Sequence, residues 1–291
     1  MVKYPFQLMT DSSCDLPLSY YREHGVELVS LGLQMDGILY NGEGEEQLDA
    51  KVFYDKLRAG AMPTTFQITP EQVKAHAEPY MAKGIDVLAI AFSSGLSGTA
   101  HSYQTAAKEL METYPGVKFY VVDSLCASMG QGLLLDYVVK KAESGASIEE
   151  TREYAEGLKL HIDHWFTVED LFHLKRGGRV SATTAVVGTL LKIKPVLHVD
   201  NEGHLISVSK AVGRKKSIRA LVDKMEELNC IDESDPVFIS HGDCIEDAEF
   251  LKSLVLERFG QREVFISMIG PVIGSHSGAG TLALFFKGNV R

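Results

Sequence analysis

Val87–Phe92 is an unbroken run of six apolar residues that passes straight into Ser93-Ser94-Gly95-Leu96-Ser97-Gly98-Thr99. A strand apolar on both faces has to be covered on both, which is the situation inside a parallel sheet. The helix expected from the polar turn to about Tyr114 supplies one cover. Lys118–Val122, the turn at Asp123-Ser124 and a helix over Ser128–Ser144 repeat the pattern. Strand, polar turn, helix, strand is the signature of βαβ units. Phe6–Thr10 reads as a further strand, and Pro17–His24 as a helix opened by proline.

The second half has another rhythm. A helix over Ile148–Leu160 leads to a strand at Ile162–Val168, a short helix to Arg176 and an apolar stretch at Ala185–Ile193. Pro195–Asp200 and His204–Ser209 flank a turn-prone Asn201-Glu202-Gly203 and predict a hairpin. Helices over Lys215–Asn229 and Ile245–Phe259 alternate with strands at Pro236–His241, Glu263–Ile269 and Thr281–Lys287. Two loops are expected, Gly60–Thr69 and Gly270–Gly280, and Val26–Met35 reads as one extended segment. The expectation is an α/β chain of two domains. Residues 1–160 form a parallel-sheet domain, and 161–291 an α+β domain.

At 291 residues with 45% hydrophobic content, the chain can build two cores. Its formal charge of −10 argues against a nucleic-acid partner, which requires clustered Lys and Arg. No segment reaches the ~18 apolar residues of a membrane span. Cys14, Cys126, Cys230 and Cys244 are scattered without a CxxC, so a reduced, cytoplasmic protein without structural zinc is expected.

Ser93–Thr99 is the first candidate site, because ligands in open α/β sheets bind beyond the carboxyl ends of strands. Ser94, Ser97 and Thr99 offer hydroxyls there, either to an anion or to the first N–H groups of the helix. Gly95-Leu96-Ser97-Gly98-Thr99 also approaches the G-x-S-x-G nucleophile elbow, with Thr99 where the second glycine belongs. A serine esterase or acyltransferase using Ser97 and His276 is therefore the rival reading. Gly274-Ser275-His276-Ser277-Gly278 is the second site, an imidazole set among hydroxyls and glycines. Thr64-Thr65-Phe66-Gln67 adds donors in a loop. Lys175-Arg176-Gly177-Gly178-Arg179 and Arg214-Lys215-Lys216 are basic clusters suited to a carboxylate, a phosphate or an acidic protein surface. His161 and His164 could ligate a metal, but strand alternation would send them to opposite faces.

Taken in order, these segments resemble the DegV family of bacterial fatty-acid-binding proteins. The resemblance runs from Thr10-Asp11-Ser12-Ser13 through Pro63–Gln67, Ser93–Thr99, Leu174–Ser181 and Gly188–Pro195 to Gly270–Gly280. It implies a two-domain α/β fold with a long-chain fatty acid, such as palmitate, held between the domains. It also implies a lipid carrier that needs no cofactor, metal or nucleophile. Some family members present the acid to a separate fatty acid kinase, and that partner would dock near Arg179, Arg214 and Lys215. Ligand-binding residues carry over onto Thr65, Ser97, His276 and Arg179, with Ser94 and Thr64 beside them. The chain departs from the family pattern at Phe66, where a serine is usual, and at Val212, where kinase-serving members have an arginine.

Overall fold

A computed structural model of the chain describes residues 3–40, 48–169, 171–180, 192–228, 232, 234–289 and 291. The strands of the first half are β1 (Gln7–Asp11), β2 (Glu27–Val29), β3 (Gly32–Met35), β4 (Ile38–Tyr40), β5 (Thr64–Phe66), β6 (Val87–Ala91) and β7 (Phe119–Asp123). Its helices are α1 (Leu18–His24), α2 (Ala50–Arg58), α3 (Pro70–Met81), α4 (Thr99–Thr113), α5 (Met129–Glu143) and α6 (Ile148–Leu158). The order β2-β1-β6-β7 makes one sheet, parallel at every pairing. All five residues of β6 are buried, as its composition requires. Local chemistry starts the helices where expected: Thr69 and Gln72 close a capping box around Pro70, and Ser147 and Glu150 close another.

The second half contains β8 (Ile162–Thr167), β9 (Ile193–Val199), β10 (Leu205–Val212), β11 (Val237–His241), β12 (Val264–Met268) and β13 (Leu282–Lys287). Its helices are α7 (Phe172–Arg176), α8 (Arg214–Glu227), α9 (Ile245–Phe259) and α10 (Pro271–Ser277). Six strands form one sheet in the order β10-β9-β8-β13-β11-β12, antiparallel except between β11 and β12. The fold is thus mixed α/β, with a parallel sheet before a mixed one. The stretch expected over Ala185–Ile193 lies, up to Leu191, outside the described residues, as do Ser181 and Cys230.

Three expectations change. Val26–Met35 is two strands, because the chain leaves the parallel sheet after β2 and enters a separate antiparallel sheet, β4-β3-β5. The loop Gly60–Thr69 contains β5, too short to show a period in sequence. The loop Gly270–Gly280 contains α10, begun by Pro271 in the first turn and ended at Gly278, whose φ is +85°.

Helix α5 joins the two halves. Every residue from Met129 to Val139 is buried. A helix apolar on all sides belongs inside a protein rather than on its surface. Leu133, Leu134 and Val138 share one core with Phe166, Phe238 and Phe285 of the second sheet. Beside it lies a polar joint. Asp15 accepts from Ser128 Oγ at 2.5 Å and from the Gly270 N–H at 3.0 Å, while its carbonyl accepts from Ser267 Oγ. Ser128 Oγ also meets Ser240 Oγ at 3.1 Å.

Complete burial pushes the Asp15 carboxyl up from 3.8 to about 7, against the lowering effect of its hydrogen bonds. A carboxyl raised on folding binds its proton more tightly in the native state. Its contribution to stability is full below pH 4 and is lost as pH rises through about 7. Asp163 is raised to about 7 in the same way, so a comparison of variants is needed to isolate Asp15. Thermal melts of wild type and Asp15→Asn across pH 4 to 8 should diverge. The wild type should lose on the order of a few kcal/mol relative to the variant. Parallel melting curves would contradict the assignment.

Candidate functional site

Four separate pieces of chain meet at a cavity of about 210 Å³. They are β5, the loop after β6, the turn after α7, and α10. Much of the wall is apolar, including Phe92, Phe166, Leu174, Leu205, Ile273 and Phe285. Thr65, Ser97, Arg179 and His276 also line it.

Alternation along β5 selects Thr65. In a strand, successive side chains point to opposite faces. Thr65 pairs with buried Leu33 of β3, and its Oγ1 lies 2.7 Å from Nε2 of His276. Thr64 and Phe66 on either side are exposed, and Phe66 borders the cavity only at its rim. Thr64 forms no part of the cavity wall, and neither does Ser94, which is exposed with its N–H bonded to Asp123.

Ser97 sits at the entrance to α4. Its Oγ lies 3.0 Å from Thr99 Oγ1 and accepts from the Thr99 N–H at 3.3 Å. The hydroxyl therefore supports the helix start while facing the cavity. Gly95, two residues earlier, permits the β9–β10 hairpin to seat on this loop: a Cβ there would fall 2.7 Å from the Glu202 carbonyl oxygen.

His276 is held in a tight place. Gly177 lies so close that a Cβ on it would stand 2.2 Å from the ring Nδ1. That nitrogen is buried and has no hydrogen-bond partner among the described residues. Burial, then the positive charges of Arg179 and Arg176, push the imidazole down from 6.5 to about 4. At neutral pH the ring is uncharged and offers one N–H and one lone pair.

Arg179 donates through Nε and Nη2 to the Leu96 carbonyl at 3.2 and 3.0 Å, and through Nη1 to the Gly177 carbonyl. Three of a guanidinium's five donors are thus taken up by backbone. The rest of the group and its charge border the cavity. Desolvation lowers its pKa from 12.5. One fixed cation, a neutral imidazole and two hydroxyls thus border one space, a set of groups able to receive an anion.

Sequence reasoning overlooked the polar groups deeper in the wall. His164 lines the cavity, with Nδ1 donating to the Ile162 carbonyl at 2.8 Å and Nε2 accepting from the Ala127 N–H at 3.3 Å. It is a fully bonded wall residue. Ser128 and Ser240 also border the space and belong to the Asp15 joint. Asp15 and the hydroxyls lie more than a hundred residues apart, with no local signal to connect them. Among the described residues no group of three or more His, Cys, Asp or Glu could hold a metal ion. Nor, among them, is any helix long and apolar enough to cross a membrane.

A chemical-shift titration of the His276 ring should give a midpoint near pH 4. A midpoint at the ordinary 6.5 would show that the ring is solvated and the site open.

Comparison with known proteins adds to this geometry. A family model described as uncharacterised protein, DegV family, matches residues 5–289. A DegV domain-containing protein of Clostridium perfringens is 42% identical over 286 residues, 98% of each chain. Among solved structures, the chain resembles a DegV lipid-binding protein of Thermotoga maritima with a TM-score of 0.85 and 30% identity, covering 98% of this chain and 99% of that one. A DegV family protein of Thermus thermophilus, described for its fatty acid binding, superposes with a TM-score of 0.87 at 30% identity, covering 97% and 99%.

Proposed function

The chain belongs to the DegV family, and on that premise we propose that it holds a long-chain fatty acid in the cavity and carries it. The carboxylate lies against Thr65, Ser97, His276 and Arg179, and the acyl chain runs along the apolar wall. The observation that carries this reading is the Thr65–His276 pair beside Arg179, set in a largely apolar cavity. The fatty acid binding described for the Thermus thermophilus relative supports it.

The energetics divide between the two parts. About fifteen buried methylenes gain up to ~12 kcal/mol at ~0.8 kcal/mol each. Loss of overall and internal freedom removes much of that. The chain thus supplies affinity, and the polar end supplies direction. A buried carboxylate without partners would be costly, and here hydroxyls, one imidazole N–H and a guanidinium are available to it.

Carriage without turnover is the reading we adopt over an esterase. Ser97 is bonded to Thr99 and His276 to Thr65, and among the described residues no hydrogen bond joins Ser97 to His276. A catalytic base also needs a third group to orient it, whereas Nδ1 has no partner among the described residues. The same reading places the protein in the cytoplasm, with a domain boundary near residue 160. It delivers the acid to a partner such as a fatty acid kinase. Arg214 is engaged with Asp247 and the Gly280 carbonyl, which leaves Lys215 and the surface around it as the docking contacts.

Mass spectrometry of an organic extract of freshly purified protein should find one long-chain acid per chain. Thr65→Val or Ser97→Ala should weaken palmitate binding by ~10-fold or more, the ~1.5–3 kcal/mol of a hydrogen bond to a charged group. Bound acid should also raise the His276 midpoint, since a nearby negative charge favours the protonated ring. Empty protein that ignores added palmitate refutes the carrier. Ester turnover abolished by Ser97→Ala would establish the enzyme instead.

A further inference from the structure

A second cavity, of about 430 Å³, lies beside the first. Leu16, Leu18, Leu33 and Tyr40 contribute to its wall. Leu31 and Val272 line both cavities. The residues around Val272 sort to either side of it. Ile269, Ile273 and His276 face the first cavity, whereas Met268, Gly270 and Pro271 face the second.

The position of this shared wall is set by two backbone constraints. Val272 lies four residues before His276 on α10, hence about one turn, roughly 5.4 Å, along the same side of the helix. Leu31 is fixed opposite by its N–H, which donates to Ser12 Oγ at 3.0 Å. Its side chain is buried. A carboxyl held at Thr65 and His276 therefore sends the first carbons of its chain past Leu31 and Val272.

We infer that Leu31 and Val272 are a specificity partition, closing the second cavity to the bound ligand so that the site takes acyl chains unsubstituted on the carbons next to the carboxyl. This deepens the fatty-acid reading and rests on it. A methyl branch at those carbons presses into two fixed apolar side chains. Overpacking of that kind lowers affinity roughly tenfold. Truncating either side chain joins the two spaces and gives the branch room.

The test is displacement of a fluorescent fatty acid from the delipidated full chain, by hexadecanoic acid and by 3-methylhexadecanoic acid. Wild type should bind the branched acid about tenfold more weakly. Leu31→Ala and, independently, Val272→Ala should narrow that gap to about threefold or less. Melting temperatures of both variants identify any that fails to fold, and the wild-type comparison requires neither. Equal binding of both acids by wild type overturns the partition, as does a parallel loss for both acids in folded variants. Wild type that binds neither acid overturns the fatty-acid reading itself, a separate result.

Discussion

An apolar cavity can hold a charged group only where the protein supplies that group's hydrogen bonds. The groups around Thr65 and His276 meet this requirement. The two residues are 211 positions apart in sequence and 2.7 Å apart in space. Arg179 brings the charge, and its bonds to the Leu96 and Gly177 carbonyls fix the guanidinium in place. The same charge, with burial, keeps His276 neutral. A protonated ring beside Arg179 would add like-charge repulsion. A neutral one bonds a carboxylate without that cost. Gly177 completes the arrangement by leaving the space that the imidazole occupies.

The four site segments meet only because the two sheets are held in one relation. Helix α5 fills the space between them with apolar surface. Around it run polar ties, each from a residue of the first sheet's loops to one of the second. Asp15 reaches Gly270 and Ser267, the Ala127 N–H reaches His164, and Ser93 Oγ donates to the Gly203 carbonyl. Arg291 adds a clamp, donating to the carbonyls of Leu125, Lys159, Ile162 and Asp200. Burial makes these ties demanding as well as useful, since a buried polar group that loses its partner costs more than the bond contributed. The junction that shapes the cavity thus resists sliding.

Much of this was legible in the residues. The run Val87–Phe92 leading into a polar turn specified a parallel sheet, and the loop after it borders the cavity. Ser97 and His276 stood out because their segments set hydroxyls or an imidazole among glycines, whereas the family resemblance singled out Arg179 within its basic turn. Other features were not legible, for identifiable reasons. Strand β5 has three residues, too few for a period, so only the resemblance separated Thr65 from Thr64, and pairing with Leu33 gives the physical reason that Thr65 faces inward. Helix α10 is one of glycine, serine and proline, which as local preferences spell a loop. Packing against α2 and α7 overrides them. The Asp15 joint is assembled entirely from tertiary contacts.

The two departures from the family pattern fall on different surfaces, and that separates their consequences. Phe66 follows Thr65, so alternation turns it outward to the rim, where about half of it is exposed and its ring rests on Gly32. The change from serine alters the mouth of the cavity and leaves the inward Thr65–His276 pair as it is. Val212 ends β10 at the edge of the six-stranded sheet, 62% exposed. An arginine there would offer a partner a charge. Arg214 is turned away from that edge, with Nε bonded to Asp247 and Nη2 to the Gly280 carbonyl. The cavity rim at Phe66 and the sheet edge at Val212 are therefore free to vary independently. In this chain position 212 presents an exposed, uncharged side chain at that sheet edge.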